Sequence, residues 1–407
     1  MTVHSTHTAV QSTTNSAAET TLRLLNYIES QNYKGYDPYD ALNSRLIKLI
    51  SCKSKWLRII FTQFLRRCPI NLRPVLGVKK EHNPKAIGLF LWGYSKLFAI
   101  QKNEDQLESI EKLLDLLEQL RSKGYSGNCW GYNFDWQSRT YFRPKGVPTI
   151  VNTAFIGHAL LDCYEKTAKQ RALDMALSIH EFILKDLHRS KEGESFCFSY
   201  TPVDRAIVHN ANLLGASILI RLNRYLRDSE IEDSALASLS YSMRYQREDG
   251  SWYYAETPHQ KWIDSFHTGF NLQALRYCLA EGVGEEYRPQ YEKGVRYYAE
   301  TFFLADGTPK YYHDKIYPFD IHCPTQAVVF FSGLQPEYKE LTERILQWML
   351  VNLWSDKGYF YFRKYANYIN RIPYMRWSQA WAFHALTEYL SQSRGEHKHV
   401  RNGFRTN

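Results

Sequence analysis

The chain has 407 residues, with 51 Lys and Arg against 42 Asp and Glu, which gives a formal net charge of +9. A hydrophobic content of 44% with 23% charged residues excludes wholesale disorder, and no run approaches the roughly 20 apolar residues of a membrane-spanning helix. Aromatic residues are abundant, with 30 Tyr, 21 Phe and 10 Trp, and this surplus predicts a groove that binds a flat, polar ligand.

The two ends of the chain are polar. Residues 1–18 are rich in Ser, Thr, Asn and Ala and predict a disordered tail, and residues 392–407 predict a second, basic tail. The first residues lack the cationic and apolar regions of a signal peptide. The seven cysteines are scattered, with no CxxC pair, which is typical of a reducing compartment. The sequence therefore predicts a cytoplasmic protein.

A basic segment follows at residues 45–80, which contain ten Lys and Arg and no Asp or Glu. Two interpretations stay open: an ordinary outer helix with a basic face, or an amphipathic segment that contacts an anionic membrane surface. The second would place the protein peripherally at the inner membrane. Nucleic-acid binding is not predicted, because no Gly-rich phosphate loop or other recognition motif accompanies the charge.

A long-period repeat dominates the rest of the chain. Apolar segments rich in small residues recur at 86–98, 152–164, 210–222, 267–279, 324–334 and 378–390. Their equivalent positions are Gly88, Ala154, Asn212, Gly269, Gln326 and Gln379. Because these segments are apolar on nearly all sides, we predict buried inner helices. Amphipathic segments at 107–123, 171–187, 233–249, 287–303 and 339–355 alternate with them and predict solvent-facing outer helices.

Short Gly/aromatic segments come after the outer helices, at 129–136, 195–200, 249–254, 306–312 and 356–362, and predict short strands or hairpins. The alternation predicts an all-α fold: an α/α toroid of six hairpins, in a single domain over residues 20–391. A weaker copy near the N-terminus leaves a seventh pair open. The N-termini of the inner helices would meet the aromatic loops at one rim, where free N–H groups favour anionic or hydroxyl-rich ligands.

This repeat, with its rim loops, resembles the six-hairpin toroids of carbohydrate-active proteins, which include N-acylglucosamine 2-epimerases, unsaturated glucuronyl hydrolases, uronate lyases and glucuronyl C5-epimerase domains. More narrowly, residues 33–44, 130–139, 144–162 and 264–275 resemble bacterial polysaccharide-biosynthesis proteins of the VpsJ type. The resemblance implies an exopolysaccharide or surface-glycan biosynthesis protein that acts on a sugar or uronate-containing chain. Epimerase, lyase and hydrolase chemistry all stay open.

Two other function classes also stay open. A non-catalytic glycan-binding or assembly subunit would use the same aromatic rim without chemistry. A prenyl- or terpenoid-binding toroid is suggested by residues 246–254, which resemble the QW motif of terpene cyclases; it would require a wholly apolar cavity.

Asp264 and His267 are the first catalytic candidates, because a spacing of three places both on one face at the start of an inner helix. A carboxylate beside an imidazole orients it for acid/base catalysis, and Asp264 can cap the helix at the same time. His209 and His322 occupy rim positions in the neighbouring repeats, so three histidines could converge in the cavity. They lack a local metal-ligand signature, so we predict sugar contacts rather than a metal site, and no cofactor.

Other candidates lie on the rim loops. Tyr132, Trp136 and Arg139 would stack on a sugar or pair with a carboxylate, while Asp135 is either a general acid or the ion-pair partner of Arg139. Tyr254 and Glu256 are further catalytic candidates. The remaining predicted substrate contacts are Asn152, Tyr361, Tyr374, Arg376 and Trp377, with Arg376 as a carboxylate clamp. Hydrolysis would need two carboxylates, whereas epimerisation or elimination would need a His or Tyr base beside an Arg or Asn.

Overall fold

The structure is a computed structural model and describes residues 2–139 and 142–402. Its α-helices are α1 (Thr2–Ser30), α2 (Arg45–Ser51), α3 (Lys55–Arg67), α4 (Pro84–Gln101), α5 (Glu104–Gln119), α6 (Ile150–Thr167), α7 (Gln170–Leu177), α8 (Ile179–Glu181), α9 (His209–Leu226), α10 (Ser229–Arg244), α11 (Ser265–Ala280), α12 (Arg288–Phe302), α13 (His322–Ser332), α14 (Lys339–Leu353) and α15 (Trp381–Asn402). Short 3₁₀-helices cover Asp40–Asn43, Pro258–Gln260 and Glu285–Tyr287, and π-helical turns cover Phe182–Asp186 and Met375–Ala380.

Six helices form a closed inner ring in the order α4, α6, α9, α11, α13, α15 and back to α4. Each packs against an outer helix: α5, α7, α10, α12 and α14 follow their inner partners in the chain, and α1 packs against α15. The predicted all-α toroid is therefore confirmed. Because α1 supplies the sixth outer helix, the described residues form six hairpins and no seventh pair.

The helix α1 extends over the segment for which a disordered tail is predicted. Ala17 is fully buried, and the Thr14 hydroxyl oxygen lies 3.4 Å from that of Tyr389 on α15. Packing against the toroid thus begins before residue 18, although the Ser/Thr-rich composition indicates disorder. At the other end α15 continues to Asn402, and residues 403–407 of the predicted basic tail lie outside the described residues. The domain limits 20–391 stay a prediction.

Glycines allow α4 to approach both of its neighbours in the ring. A Cβ atom at Gly88 would lie 2.8 Å from Cγ1 of Ile156 on α6, and a Cβ atom at Gly93 would collide with the ring of Phe383 on α15. A larger side chain at either position would push these helices apart, since packed cores resist added volume. The small residues that mark the repeat therefore close the ring.

Short antiparallel strands lie between the helices. The strand β1 (Trp136–Gln137) pairs with β2 (Phe142–Arg143), β3 (Arg189–Glu192) with β4 (Ser195–Phe198), and β6 (Trp354–Ser355) with β7 (Tyr359–Phe360). The strand β8 (Arg363–Lys364) pairs with both β5 (Phe319–Asp320) and β9 (Ile369–Asn370). The segments at 249–254 and 306–312 form turns instead of the predicted strands, with Gly250 and Gly307 at φ of 92° and 86°.

The helices α2 and α3 form a hairpin outside the two layers of the toroid. They pack against each other and against the 3₁₀-helix Asp40–Asn43, and α3 also contacts β1 at the rim. Ile47 and Leu65 anchor the hairpin through a small apolar cluster with Ala41 and Leu42. This part of the basic segment is therefore not an outer helix of the toroid. Within residues 2–139 and 142–402, no helix is long and apolar enough to cross a bilayer.

Candidate active site

A cavity of about 600 Å³ lies at the rim formed by the N-termini of the inner helices. Nine of the predicted site residues line it: Tyr132, Trp136, Arg139, Tyr254, Asp264, His267, His322, Arg376 and Trp377. The helix α3 contributes one wall through Ile59, Thr62, Gln63, Arg66 and Arg67. The expectation that inner-helix N-termini and aromatic loops share one cavity is thus met by these residues.

The charge of the cavity lining is strongly asymmetric. Six cationic side chains line it, namely Arg66, Arg67, Lys85, Arg139, Arg143 and Arg376. Among the described lining residues, Asp264 is the single carboxylate. Clustered cations in a partly enclosed site attract anionic ligands, because the field of each cation is screened less there than in bulk water.

Asp264 and His267 form the central polar pair. The Asp264 carboxylate accepts the backbone N–H of His267 at 3.0 Å and caps α11, while its other oxygen lies 2.7 Å from Nδ1 of His267. That second oxygen also accepts the Trp262 indole N–H at 2.9 Å. Both predicted roles of Asp264 therefore coexist. Because the carboxylate holds Nδ1, Nε2 is the nitrogen that His267 can offer to a ligand.

His322 lies beside this pair, on α13. It is 2% exposed, and both ring nitrogens are buried without a hydrogen-bond partner among the described residues. Its neighbours are the rings of Phe266, Phe270, Trp377 and Trp381. The ring of Phe266 contacts both imidazoles, with centroid distances of 4.2 Å to His267 and 4.7 Å to His322. Two histidines therefore meet around one aromatic ring of the cavity.

Acid should destabilise the fold through its buried histidines. Burial, reinforced by the charges of Lys85 and Arg376, holds the pKa of His322 well below its usual value. Burial, reinforced by Arg221 and Lys96 respectively, does the same to the pKa of His158 and His384. The unfolded chain binds a proton at each site below about pH 6.5, whereas the folded protein does not. The free energy of unfolding should therefore decrease as the pH is lowered below about 6.5. The decrease should be up to about 1.4 kcal/mol for each pH unit and each of these histidines.

Urea unfolding of the wild type between pH 7.5 and 5 measures this dependence. The variant His322→Phe removes one titrating group and fills the aromatic surroundings with another ring, so its stability should fall less steeply below pH 6.5. An unchanged slope would show that His322 takes up a proton in the folded state.

His209 does not reach the cavity, so the predicted convergence of three histidines is reduced to two. Its Nε2 lies 2.9 Å from the carboxylate of Glu256 and its Nδ1 lies 3.3 Å from the hydroxyl of Ser242. The hydrogen bond with His209 lowers the pKa of the Glu256 carboxyl, which keeps that group ionised. His209 and Glu256 thus form a hydrogen-bonded pair beside the cavity and are not among its described lining residues.

Four further candidates lie away from the cavity lining. Asp135 pairs with Lys48 at 2.7 Å rather than with Arg139 and accepts the backbone N–H of Lys145. Tyr374 is fully buried and accepts a hydrogen bond from Arg73 at 2.8 Å, so a ligand cannot reach it. Asn152 is fully buried within α6, and Tyr361 packs beside Arg371. The sequence places these residues near the rim but does not show where their side chains point.

Arg376 lines the cavity, but its guanidinium already binds a carboxylate. Its Nε and one terminal nitrogen donate to the two oxygens of Asp37 at 2.6 and 2.8 Å, and the pair is buried. Arg376 is therefore held in place by the protein's own carboxylate, which weakens its predicted role as a clamp. Trp377 is held similarly, because its indole N–H donates to Asp320 at 2.8 Å.

Lys85 is a cavity residue that the sequence analysis missed. It is 3% exposed, and its Nζ faces aromatic rings, with distances to the ring centres of 3.9 Å for Phe155 and 5.3 Å for both Phe270 and Trp381. Burial, and then the charge of Arg376, holds the pKa of Lys85 well below its ordinary value. The repeat contained a signal for it: Lys85 precedes Gly88 by three residues, as Arg376 precedes Gln379.

Arg143, on β2, is the second missed cation. It is 3% exposed and lies among the rings of Tyr132, Trp136 and Tyr200, at 4.8, 4.9 and 5.6 Å from their centres. Its Nη1 is buried without a hydrogen-bond partner in the described chain. Helix register could not have found Arg143, because it lies on a strand whose position depends on the pairing of β1 with β2.

Comparisons with known proteins give structural neighbours only. No family model matches the sequence, and no curated protein does. The cellobiose 2-epimerase of Bacillus thermoamylovorans is similar with a TM-score of 0.61 and 16% identity, over 77% of this chain and 90% of that one. An α-mannanase of glycoside hydrolase family 76 from Bacteroides thetaiotaomicron has a TM-score of 0.60 and 11% identity, over 79% and 90%. A family 88 glycosyl hydrolase from Bacteroides vulgatus has a TM-score of 0.53 and 11% identity, over 77% and 93%.

These neighbours support the fold, a six-hairpin α/α toroid. At 11–16% identity the likeness extends to the fold and not to the reaction. The site itself is the stronger source of chemical information. In the described part of the chain, no group of three or more His, Cys, Asp or Glu is arranged to hold a metal ion.

Proposed function

We propose that the protein is a carbohydrate-active enzyme that binds an anionic sugar chain in the rim cavity and removes a proton from a carbon of that sugar. Uronate-containing chains are the favoured substrates, and epimerisation or β-elimination is the favoured reaction. The observation that carries this proposal is the composition of the lining, in which six cations surround one Asp–His pair. The same proposal includes a role in exopolysaccharide biosynthesis, membership of the VpsJ-type proteins and a cytoplasmic location.

Hydrolysis fits the cavity less well than proton abstraction. Glycosidases use two carboxylic groups about 5–10 Å apart, one of them as the acid or base. Asp264 is the only carboxylate that the described lining residues provide, and three donors already occupy its oxygens. Asp135 and Glu256, the other two candidates for such a pair, bind Lys48 and His209 instead.

The proposed reaction begins with Nε2 of His267 as the base. Asp264 holds Nδ1 protonated, so that Nε2 carries the lone pair that accepts a proton from the carbon beside the sugar carboxylate. The electrons of the broken C–H bond move into the carboxylate, and Arg143 and Lys85 stabilise the resulting negative charge. In an epimerase a proton from the solvent returns to the opposite face of the same carbon. In a lyase the C–O bond at the β carbon breaks, and the leaving oxygen takes up the proton that Nε2 of His267 holds.

Deuterium uptake tests this proposal. The purified protein is incubated in D₂O with a panel of uronate-bearing and neutral glycans, and the products are analysed by mass spectrometry. We expect a sugar C–H position to exchange, or an unsaturated product to form, with the uronate glycans alone. Cleavage without either change would support hydrolysis and overturn the proposal.

A glycan-holding subunit is the second candidate, favoured by the aromatic side of the cavity. Tyr254 and Trp262 stack with centroids 4.5 Å apart, next to His267. If the protein binds uronate glycans without exchange, and if Tyr254→Ala weakens binding more than His267→Gln does, this candidate replaces the first. The prenyl-binding interpretation required a wholly apolar cavity, and the charged lining does not meet that condition.

A further inference from the structure

The α2–α3 hairpin exposes an unusual amount of apolar surface. Of the 17 large hydrophobic side chains that are exposed in the described chain, nine lie between residues 46 and 75. They are Leu46, Leu49, Ile50, Trp56, Leu57, Ile60, Phe64, Ile70 and Val75. Trp56 is 61% exposed and Leu49 is 73% exposed. Exposed apolar groups concentrated on one element mark an interaction surface, whereas scattered ones do not.

Three of the exposed groups form a continuous stripe. On α3, Trp56, Ile60 and Phe64 are spaced by four residues and therefore form one stripe. Thr62 and Leu65 on the same helix are buried against the protein. The hairpin therefore packs against the protein through one side and exposes an apolar stripe on the other, where a surface helix would ordinarily expose polar residues. Seven of the nine exposed residues lie on α2 and α3, and we call these seven, from Leu46 to Phe64, the hairpin face.

The charged residues of the hairpin segment itself all have one sign. Residues 45–80 carry ten Lys and Arg and no Asp or Glu. Lys53 and Lys55 are exposed at the junction of α2 and α3, and the Lys55 ammonium lies 5.3 Å from the centre of the exposed Trp56 ring. Lys48 alone of these three lysines pairs with an acid, namely Asp135. An anionic partner would satisfy the charges, and an apolar one would cover the stripe.

We propose that the hairpin face docks on the surface of an anionic phospholipid bilayer. At such a surface, acyl chains can receive Trp56, Ile60 and Phe64 while phosphate headgroups receive the neighbouring lysines. A second copy of this chain is disfavoured as the occupant, because a symmetric contact would bring two sets of the same cations together. A partner protein with an acidic, apolar groove is an outcome that the experiment must separate.

Docking would bring the cavity to the bilayer. The same helix α3 that carries the stripe lines the cavity with Arg66 and Arg67. A sugar carried on a membrane lipid through phosphate is the substrate class that this arrangement serves, because the lipid stays in the bilayer while the anionic head enters past the two arginines. This step rests on the proposed function, whereas the docking itself does not.

Vesicle co-sedimentation tests the docking. The full chain is mixed with vesicles of phosphatidylcholine alone or with vesicles that also contain about 30 mol% of the anionic lipid phosphatidylglycerol, because an anionic surface attracts polybasic segments. We expect binding to the anionic vesicles that 0.5 M NaCl weakens. The double variant Lys53→Gln/Lys55→Gln should bind about 30-fold more weakly, at roughly fivefold per lysine. The variant Trp56→Gln/Phe64→Gln should lose at least as much.

The matched control is Leu304→Gln/Val351→Gln, which removes two exposed apolar groups elsewhere and should bind like the wild type. Circular dichroism verifies that each variant folds. The proposal is overturned if anionic vesicles do not bind, if the control loses as much as the hairpin variants, or if light scattering shows a dimer that Trp56→Gln/Phe64→Gln dissociates. None of the four hairpin residues lines the cavity, so exchange on soluble uronate glycans should persist in these variants. Failure of docking and failure of the proposed reaction are therefore distinguishable.

Discussion

Replacing His267 by Gln should reduce deuterium exchange into the sugar by about 10²–10⁴-fold, the range typical of a lost general base. Glycan affinity should change little, because the cations and aromatic rings of the cavity remain. Asp264→Asn should have a comparable effect for a different reason. Asn caps a helix as well as Asp does, so α11 stays in place, but the amide nitrogen cannot accept the proton on Nδ1 of His267. Single-turnover exchange and isothermal titration with the same uronate glycan separate the two quantities.

The structure offers a matched control for this pair of variants. His209 occupies a rim position one repeat earlier, but it binds Glu256 outside the cavity lining. His209→Gln should therefore leave exchange within a fewfold of the wild type, even where it lowers the melting temperature. Equal losses in His209→Gln and His267→Gln would point to a general effect on folding. Full exchange in both would remove His267 from the reaction.

The sequence predicts the toroid well because inner and outer helices differ in amino-acid composition, and this difference repeats along the chain. Inner helices are packed on all sides and need small and apolar residues such as Gly88, whereas outer helices need one charged face. The first helix, α1, could not be predicted in this way. Its Ser/Thr-rich sequence has no strong apolar face, yet Ala17 and Leu24 are fully buried, because α1 completes the sixth hairpin. Long-range closure of the ring determines that helix, and local sequence carries little information about it.

The candidate site is predictable to a smaller extent. Asp264 and His267 are found because one turn of helix fixes their separation, and the structure keeps that relation. His209 begins an inner helix, as His322 does, but its ring hydrogen-bonds Glu256 and does not line the cavity, which helix register alone does not reveal. Arg143 depends on the pairing of β1 with β2 and on rings from two separate segments, Tyr132 and Trp136 in one and Tyr200 in the other, which no local pattern encodes.

Buried cations give this site a recognisable energetic signature. A charge taken out of water without a carboxylate partner costs stability, and proteins keep such groups where a ligand needs them. Arg376 has its partner in Asp37, and the buried Arg73 has one in Asp40. Arg143 instead contacts aromatic rings, and its Nη1 has no partner in the part of the chain that is described. It is therefore the cation best placed to receive the carboxylate of a ligand.

Arg143→Met should accordingly weaken binding of a uronate glycan by about 10–100-fold, which corresponds to the roughly 1.5–3 kcal/mol of a hydrogen bond to a charged group. The free energy of unfolding should not decrease by more than about 1 kcal/mol, since Met keeps the apolar contacts and removes the desolvated charge. Affinity is measured by titration calorimetry in a His267→Gln background, where no turnover interferes, and stability by urea unfolding.

Arg139 provides the comparison for this last variant, because it lines the same cavity but is exposed at the rim. Arg139→Met should cost no more than about fivefold in affinity, as expected for an exposed ion pair. Arg143→Lys retains the charge but not the planar fork and should fall between the wild type and Arg143→Met. Arg143→Met could instead unfold readily and bind uronate glycans as tightly as Arg139→Met does. That result would mean that Arg143 stabilises the aromatic loops and that the carboxylate of the ligand binds elsewhere. Lys85 would then be the next candidate, because among the described cavity residues it is the other buried cation without a carboxylate partner.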